Sequence, residues 1–561
     1  MKKGGAVYLP VPLMSALILA SICGTQAFAQ LPGQPETISN AVVNEATHFD
    51  LSQPLRELVT QAPGLVSPPV LIHQVLRPKE DKLRGLGEPR PSTTLTAVPM
   101  TPISATIGLS FEGVGNTSFL NCPSQAGATV APPDTNAAVG DTQVVQWVNL
   151  CYAIFDKTTG TLIKGPIAGN QFWSGFGGGC ETDNDGDIII QWDKTNHRWV
   201  ASQNDFGPGF GGPYQTCIAI SQTADATGSY FRYSFPQPGF PDYPKWGLTP
   251  SIYYQTQNDF GSGAGFIGVN VCAYDATLML AGSSKATQIC ILDTSNGTLF
   301  DDNMLPADSD SDPKKAKAGP EVLVGSIDNF NPESHVYEYV FTVNFKKPSK
   351  STLAGVNGSM PIAVPMFFLG CGGQNRSCVP QPGVNDRVEV LGDRLLYRFA
   401  RFDDGTNQHF LVVHDVNNST AVGETWYEFR APSGSTSLSL FQSGNTPDDG
   451  EYRWMGSIAH DKVGDIALGY SRSSGSAGDF PSIYYSGQTA GDPPGTTEPE
   501  ALIKQGGGSQ IDTGGRWGDY SSMALDGADG CTFWYTTEYY PANGSFAWAT
   551  WLASLKFPNC H

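Results

Sequence analysis

The stretch MGSIAHDKVGDIALGYS, Met455 to Ser471, sets two short apolar runs on either side of a polar knot, His460-Asp461-Lys462-Val463-Gly464-Asp465. An aspartate that closes an apolar run can accept hydrogen bonds from backbone N–H groups two or three residues on. A later Gly or Asn tolerates the positive φ such a turn needs. The phrase therefore predicts a β-hairpin whose first strand stops at the aspartate. It recurs at Asp156 in YAIFDKTTGTLI, Asp193 in IIIQWDKTNHRWVAS, Asp275 in NVCAYDATLML, Asp415 in FLVVHDVNNST and Asp526 in SSMALDGADGCTFWYT. SQNDF at 202–206 and TQNDF at 256–260 are a second pair of similar phrases. Similar hairpins spread over most of a long chain predict an all-β fold built by radial repetition. The form expected is a single β-propeller of six or seven blades, because one blade alone cannot bury both of its faces.

Composition agrees with that reading. The 561 residues include 64 Gly, 41 Pro and 11% aromatics, with only 15% charged residues. Many short strands with frequent turns need such a mixture, whereas helical bundles need long Ala/Leu/Glu/Lys-rich stretches. Residues 1–29 read as a signal peptide. Lys2 and Lys3 precede a short apolar run, and Ala27-Phe28-Ala29 offers small residues for cleavage. Residues 30–104 read as a Pro-rich leader or linker, with one short helix over 51–61, and 105–561 as the propeller domain. Ten of the 11 cysteines lie beyond the signal peptide. An even number suits disulfides in an oxidising compartment, so a secreted or periplasmic location is expected. Cys371–Cys378 and Cys531–Cys560 are the suggested pairs. The net charge of −20 argues against nucleic acid and anionic membrane surfaces as partners. No membrane insertion is expected.

The stretches PPDTNAAVGDTQVVQWVN (132–149), DGDIIIQWDKTNHRWVASQ (185–203), DYPKWGLTPSIYYQTQNDF (242–260), YRWMGSIAHDKVGDIALGYS (452–471), PSIYYSGQTAGDPPGTT (481–497) and GRWGDYSSMALDGADGCTFWYTTEYY (515–540) together resemble a group of secreted bacterial proteins. These are largely uncharacterised and are described as sialidase-like β-propellers. The sequence departs from the sialidase Asp-box, Ser-x-Asp-x-Gly-x-x-Trp. Its nearest phrase, TPDDGEYRW at 446–454, is one residue too long. The resemblance implies a site with three arginines that clamp a carboxylate, a Tyr nucleophile with a Glu base, and a carboxylic acid. Arg394, Arg453 and Arg516 are the candidate substrate-binding residues. Tyr535 and Glu538 are the candidate nucleophile and base, and Asp134 or Asp187 the acid. The competing reading of the pairs Arg198-Trp199, Arg453-Trp454 and Arg516-Trp517 is packing, with an Arg stem laid on a ring.

TDNDGD at 182–187 spaces Asp183, Asp185 and Asp187 alternately around Gly186, a set of hard oxygen donors that suits calcium. DSDSDP at 308–313 reads as a solvated acidic loop. His409 and His414 are an odd number of residues apart on one predicted strand, so they point to opposite faces and are not a chelating pair. Trp173, Trp246, Trp534 and Tyr535 lie near Gly- or Pro-rich segments, where blade-connecting loops could present them to a ligand. Two functions are therefore expected. One is a glycoside hydrolase acting on extracellular glycans. The alternative is a non-catalytic extracellular scaffold that binds glycan or protein.

Overall fold

The chain lays down antiparallel meanders one after another. The computed structural model describes residues 1, 34–58, 66–71, 103–261, 265–294, 303–311, 319–326, 332–372 and 376–561. The expected signal peptide lies outside the described residues. Residues 35–561 form one body. Four-stranded sheets are built in chain order by 136–168, 189–236, 240–293, 305–354, 395–445 and 452–504. The next is built by Ser522–Leu525, Thr532–Tyr539 and Ala549–Lys556. Thr106–Glu112, from the other end of the folded body, adds its fourth strand. The sheets of 305–354 and 395–445 are also joined by a parallel pairing of Ala307–Ser309 with Phe399–Arg401. The first strand of each sheet touches the first strand of the next, and Ser522–Leu525 touches Asn136–Val139.

Sheets stacked in this way cover each other's faces. Gln143–Val148, Ile189–Asp193 and Glu321–Gly325 are buried at every position. Their sequences therefore lack the polar-out alternation of a half-solvated strand. Trp147, Trp173, Trp199, Trp246, Trp426, Trp454, Trp517 and Trp548 are all fully buried between sheets. Trp173, Trp246, Trp534 and Tyr535 thus serve the core and are not ligand-facing loop residues.

The aspartate phrase forms the turn it predicts at four places, in two different positions within a sheet. Asp193 ends a first strand and Asp461 and Asp526 follow first strands, whereas Asp156 ends a third strand. Asp275 also ends a third strand, but its carboxylate caps the short helix Ala276–Leu280 by accepting from Leu278 N (3.1 Å). That mixture explains the uneven spacing of the phrase. Asp461 Oδ1 accepts from the N–H groups of Val463 (2.9 Å), Gly464 (3.0 Å) and Asp465 (3.0 Å). Asp461→Ala should lower the unfolding free energy by about 1–2 kcal/mol, the cost of removing a backbone-capping acceptor. Asp461→Asn keeps that acceptor and should cost less than half as much. Urea denaturation of the two variants is the check. Asp415 is a second exception. It sits inside the strand Asn407–Asn417, where its carboxylate accepts from Met455 N (3.1 Å) and Leu391 N (3.3 Å) of other segments.

The Pro-rich leader is more than a linker. Thr37–Ile38, Val42–Glu45 and His48–Leu51 each add an outer strand, to the sheets of 305–354, 240–293 and 189–236 respectively. Of the expected helix, only the 3-10 turn Leu55–Glu57 is seen, and 59–65 lie outside the described residues. Five disulfides are present: Cys122–Cys151, Cys180–Cys217, Cys272–Cys290, and the two suggested pairs, Cys371–Cys378 and Cys531–Cys560. Among the described residues, no helix is long and apolar enough to cross a membrane.

Candidate functional site

The first strands converge on a buried charged cluster. Asp134, Asp187, Asn303 and Asp519 lie just before four of these strands, and Tyr243 and Met455 lie within two others. All six have positive φ, between 48° and 58°. Such backbone is uncommon outside glycine and is tolerated best by Asn and Asp. Its repetition at the same place in several sheets marks a shared turn into the first strand.

Arg516 donates from Nε to Glu389 Oε1 (2.7 Å) and from Nη2 to Asp519 Oδ2 (2.5 Å). Arg394 holds Asp393 with two bonds (3.1 and 2.8 Å) and gives Nη1 to Asn303 Oδ1 (2.8 Å). Its guanidinium lies 4.7 Å from the Tyr243 ring centre. The Lys245 ammonium sits over two rings, 3.2 Å from Tyr243 and 3.8 Å from Tyr520, and donates to Pro244 O (3.0 Å). Glu538 accepts from Gly518 N (2.8 Å), and Asp187 from Tyr243 N (3.2 Å).

These side chains are all buried, which raises the cost of every charge. Burial, with Asp519 and Asp187 close by, holds the Asp134 carboxyl well above the usual range. Burial and then Asp519 push Asp187 up to about 6. Burial and then Asp187 and Asp519 push Asp242 up to about 8. Burial raises Glu538 well above the usual range and lowers Lys245 well below its own.

Of the residues singled out in the sequence, Asp134, Asp187, Arg516 and Glu538 belong to this cluster, and Arg394 reaches it through Tyr243. Arg453 stands apart. It holds Asp449 (2.8 and 3.0 Å) and Glu500 (both bonds 2.8 Å), and Tyr470 donates to the same Glu500 (2.9 Å). The phrase that approximates an Asp-box thus closes its own ion pair. Tyr535 and Glu538 are three apart on the strand Thr532–Tyr539, so they lie on opposite faces. The Tyr535 ring packs against Gly469, where an added Cβ would come within 2.6 Å of it. The expected nucleophile–base pair is therefore not assembled. Asp242, Lys245, Glu389 and Asp519 were missed. The signal for Asp519 was an acidic residue shortly before a first strand, as in WGDYSS, and for Asp242 and Lys245 a charged pair at the start of one, as in PDYPKW.

Deeper along the same strands is a second ionic knot. Arg398 pairs with Asp308 (2.8 Å) and Asp310 (2.7 Å), and Lys194 pairs with Asp310. Asp308 and Asp310 are buried, so the start of DSDSDP is not a solvated loop. Beside the knot is a cavity of about 20 Å³ lined by Ala137, Gln191, Asp308, Tyr397, Arg398 and Ser522. That is room for about one water.

At the edge of the 189–236 sheet, one carboxylate oxygen each from Asp183, Asp185 and Asp205 come within 4.8 Å of one another. Asp205 thus replaces Asp187 in the expected acidic set, because Asp187 is turned to Tyr243.

No family model matches the chain, and no curated protein does. Distant likenesses to solved structures are found. A subtype N11 neuraminidase-like protein of A/flat-faced bat/Peru/033/2010 (H18N11) is 8% identical over 71% of this chain and 96% of its own, with a TM-score of 0.34. Drosophila Semaphorin 1b, extracellular domains 1-2, is 7% identical over 82% of this chain and 88% of its own, with a TM-score of 0.36. Cellvibrio cellulosa alpha-L-arabinanase is 10% identical over 55% of this chain and 94% of its own, with a TM-score of 0.25. Similarity this distant assigns no activity.

Proposed function

We propose that the chain is a seven-bladed β-propeller that works outside the cytoplasm as a non-catalytic scaffold for an extracellular glycan or protein. The ring reading is supported by the chain of contacts between first strands, from Asn136–Val139 round to Ser522–Leu525. It is supported too by the leading strand that completes the final sheet. The disulfides favour an oxidising compartment.

The observation that carries the binding reading is the state of the three arginines. A guanidinium that clamps a substrate carboxylate must have donors to spare. Arg453 is bound by two carboxylates, Arg516 by two, and Arg394 by Asp393 and Asn303. In this reading Arg516 and Arg394 lock blade to blade, Arg453 closes an ion pair within its own blade, and loops at the rim meet the ligand. A second reading, a glycosidase, draws on the hub carboxyls alone. In that reading Asp242, held up to about 8, keeps its proton at neutral pH as the general acid, and Asp187, held up to about 6, is mostly ionised as the base.

One experiment separates the two. The full chain is applied to a glycan array and, in parallel, to a panel of fluorogenic glycosides that includes sialosides. The scaffold reading expects retention on the array and turnover at the level of buffer. Turnover by the wild type that falls at least 100-fold in Glu538→Gln or Asp242→Asn would replace it with the glycosidase reading.

A further inference from the structure

Beyond the hub, the edge of the 189–236 sheet carries a second group of converging oxygens, independent of the function proposed above. Asp183 and Asp185 come from the loop after the helical turn Gly179–Thr182, and Asp205 from the end of the strand Arg198–Asp205. Their carboxylates face one another within 4.8 Å. Three acids alone make no site, but Gln203 adds a separate observation. It lies two residues before Asp205, so both side chains share one face of the strand. Gln203 is only 1% exposed. Its Nε2 donates to Asp183 O (3.1 Å), which brings the carboxamide against the loop that carries the acids. The Oε1 atom of the same group is buried without a hydrogen-bond partner. An unpartnered buried carbonyl costs free energy unless something electropositive meets it.

The surroundings hold this arrangement in place. The Cys180–Cys217 disulfide ties the helical turn to the neighbouring strand, and Cys217 is the cross-strand partner of Gln203. Gly179 lies directly against Asp205, and an added Cβ there would fall 2.1 Å from its carboxylate. Asp205 is further oriented by Gly207 N (2.9 Å), and Asp185 by Phe206 N (2.8 Å).

We infer that Asp183, Asp185, Asp205 and the Gln203 carbonyl form a binding site for a calcium ion. Every donor is a hard oxygen, and neither imidazole nor thiolate is among them. That chemistry selects calcium over zinc or copper, and a carboxylate-rich protein cage suits calcium better than magnesium, which keeps its waters.

The test uses the full chain, stripped with chelator and titrated with calcium chloride alone. Calorimetry should give one ion bound per chain, and the thermal midpoint should rise by several degrees on adding calcium and by less on adding magnesium. Asp205→Asn and Gln203→Ala should weaken binding at least 10-fold, whereas Gln203→Glu should retain it. Gly179→Ala should abolish binding by displacing Asp205. Should the Asp205 variant fail to fold, Asp183→Asn, on the half-exposed loop, gives the same reading. Wild-type protein that binds no calcium, or that binds it equally well after Asp183→Asn, would overturn the site.

Discussion

The free energy of unfolding should fall by several kcal/mol between pH 5 and pH 8. Burial raises the Glu321 carboxyl to about 8, with Arg401 opposing the rise and Asp308 adding to it. Burial also raises Glu338 to about 7. A carboxyl raised by folding is protonated in the folded chain at a pH where the unfolded chain has released its proton. Its stabilisation is complete below the ordinary carboxylate range and is lost as pH rises through 7–8. Glu321 alone represents on the order of 4 kcal/mol across that window, since each tenfold gain in proton affinity is worth about 1.4 kcal/mol. His414 and His460, lowered to about 4 by burial, act the other way. Their stabilisation is present above the ordinary histidine range and is lost as pH falls toward 4. The histidines offset these two carboxyls up to about pH 6.5, so stability should be highest between about pH 5 and 6.5 and fall above that. Urea denaturation at pH 5, 6.5 and 8 measures the profile, and Glu321→Gln should flatten it. A profile that is level or rises toward pH 8 would show that these carboxyls stay ionised in the folded chain.

Asp50→Ala should cost about 3 kcal/mol, an unusual amount for a leader residue. Arg232 is buried in the sheet of 189–236 and donates to Asp50 from Nε (2.8 Å) and Nη2 (2.6 Å). Its Nη1 already serves Phe172 O (3.0 Å) and Ser174 O (3.1 Å). Without Asp50 the guanidinium keeps its charge and loses its only carboxylate among these partners. Arg232→Met removes the stranded charge, so the double variant should be more stable than Asp50→Ala alone. The four proteins make a double-mutant cycle by urea denaturation. A cost below 1 kcal/mol for Asp50→Ala would mean that the leader strand contributes little to holding the sheet.

The turns were legible because their chemistry is local. Asp461 and the N–H groups it caps fall within five residues, and four of six such phrases form the turn. Asp415 deceived because its strand runs two residues past it, and the turn that follows is closed by Asn418 N on Ala421 O without its carboxylate. The leader strands were illegible for a different reason. Two to four residues are too few to display a period, and Val42–Glu45 makes sense only against Thr287–Asp293. The buried charged cluster was half legible. Asp134, Asp187 and Arg516 could be picked as residue types. The carboxylate that neutralises Arg516, Glu389, lies 127 residues earlier, and no spacing rule connects them. Tyr535 and Glu538 were the avoidable error, since the period of a strand already separates them.

The pairing of Thr106–Glu112 with Ala549–Lys556 also orders events in time. During synthesis the ribosome releases an early ribbon whose partner is not yet made, while the intervening meanders can fold as they emerge. The seam joins only after Ala549–Lys556 are free of the ribosome. A premature stop anywhere before residue 549 should therefore leave an unpaired edge at each end of the product, the kind of species that quality-control proteases and aggregation remove first.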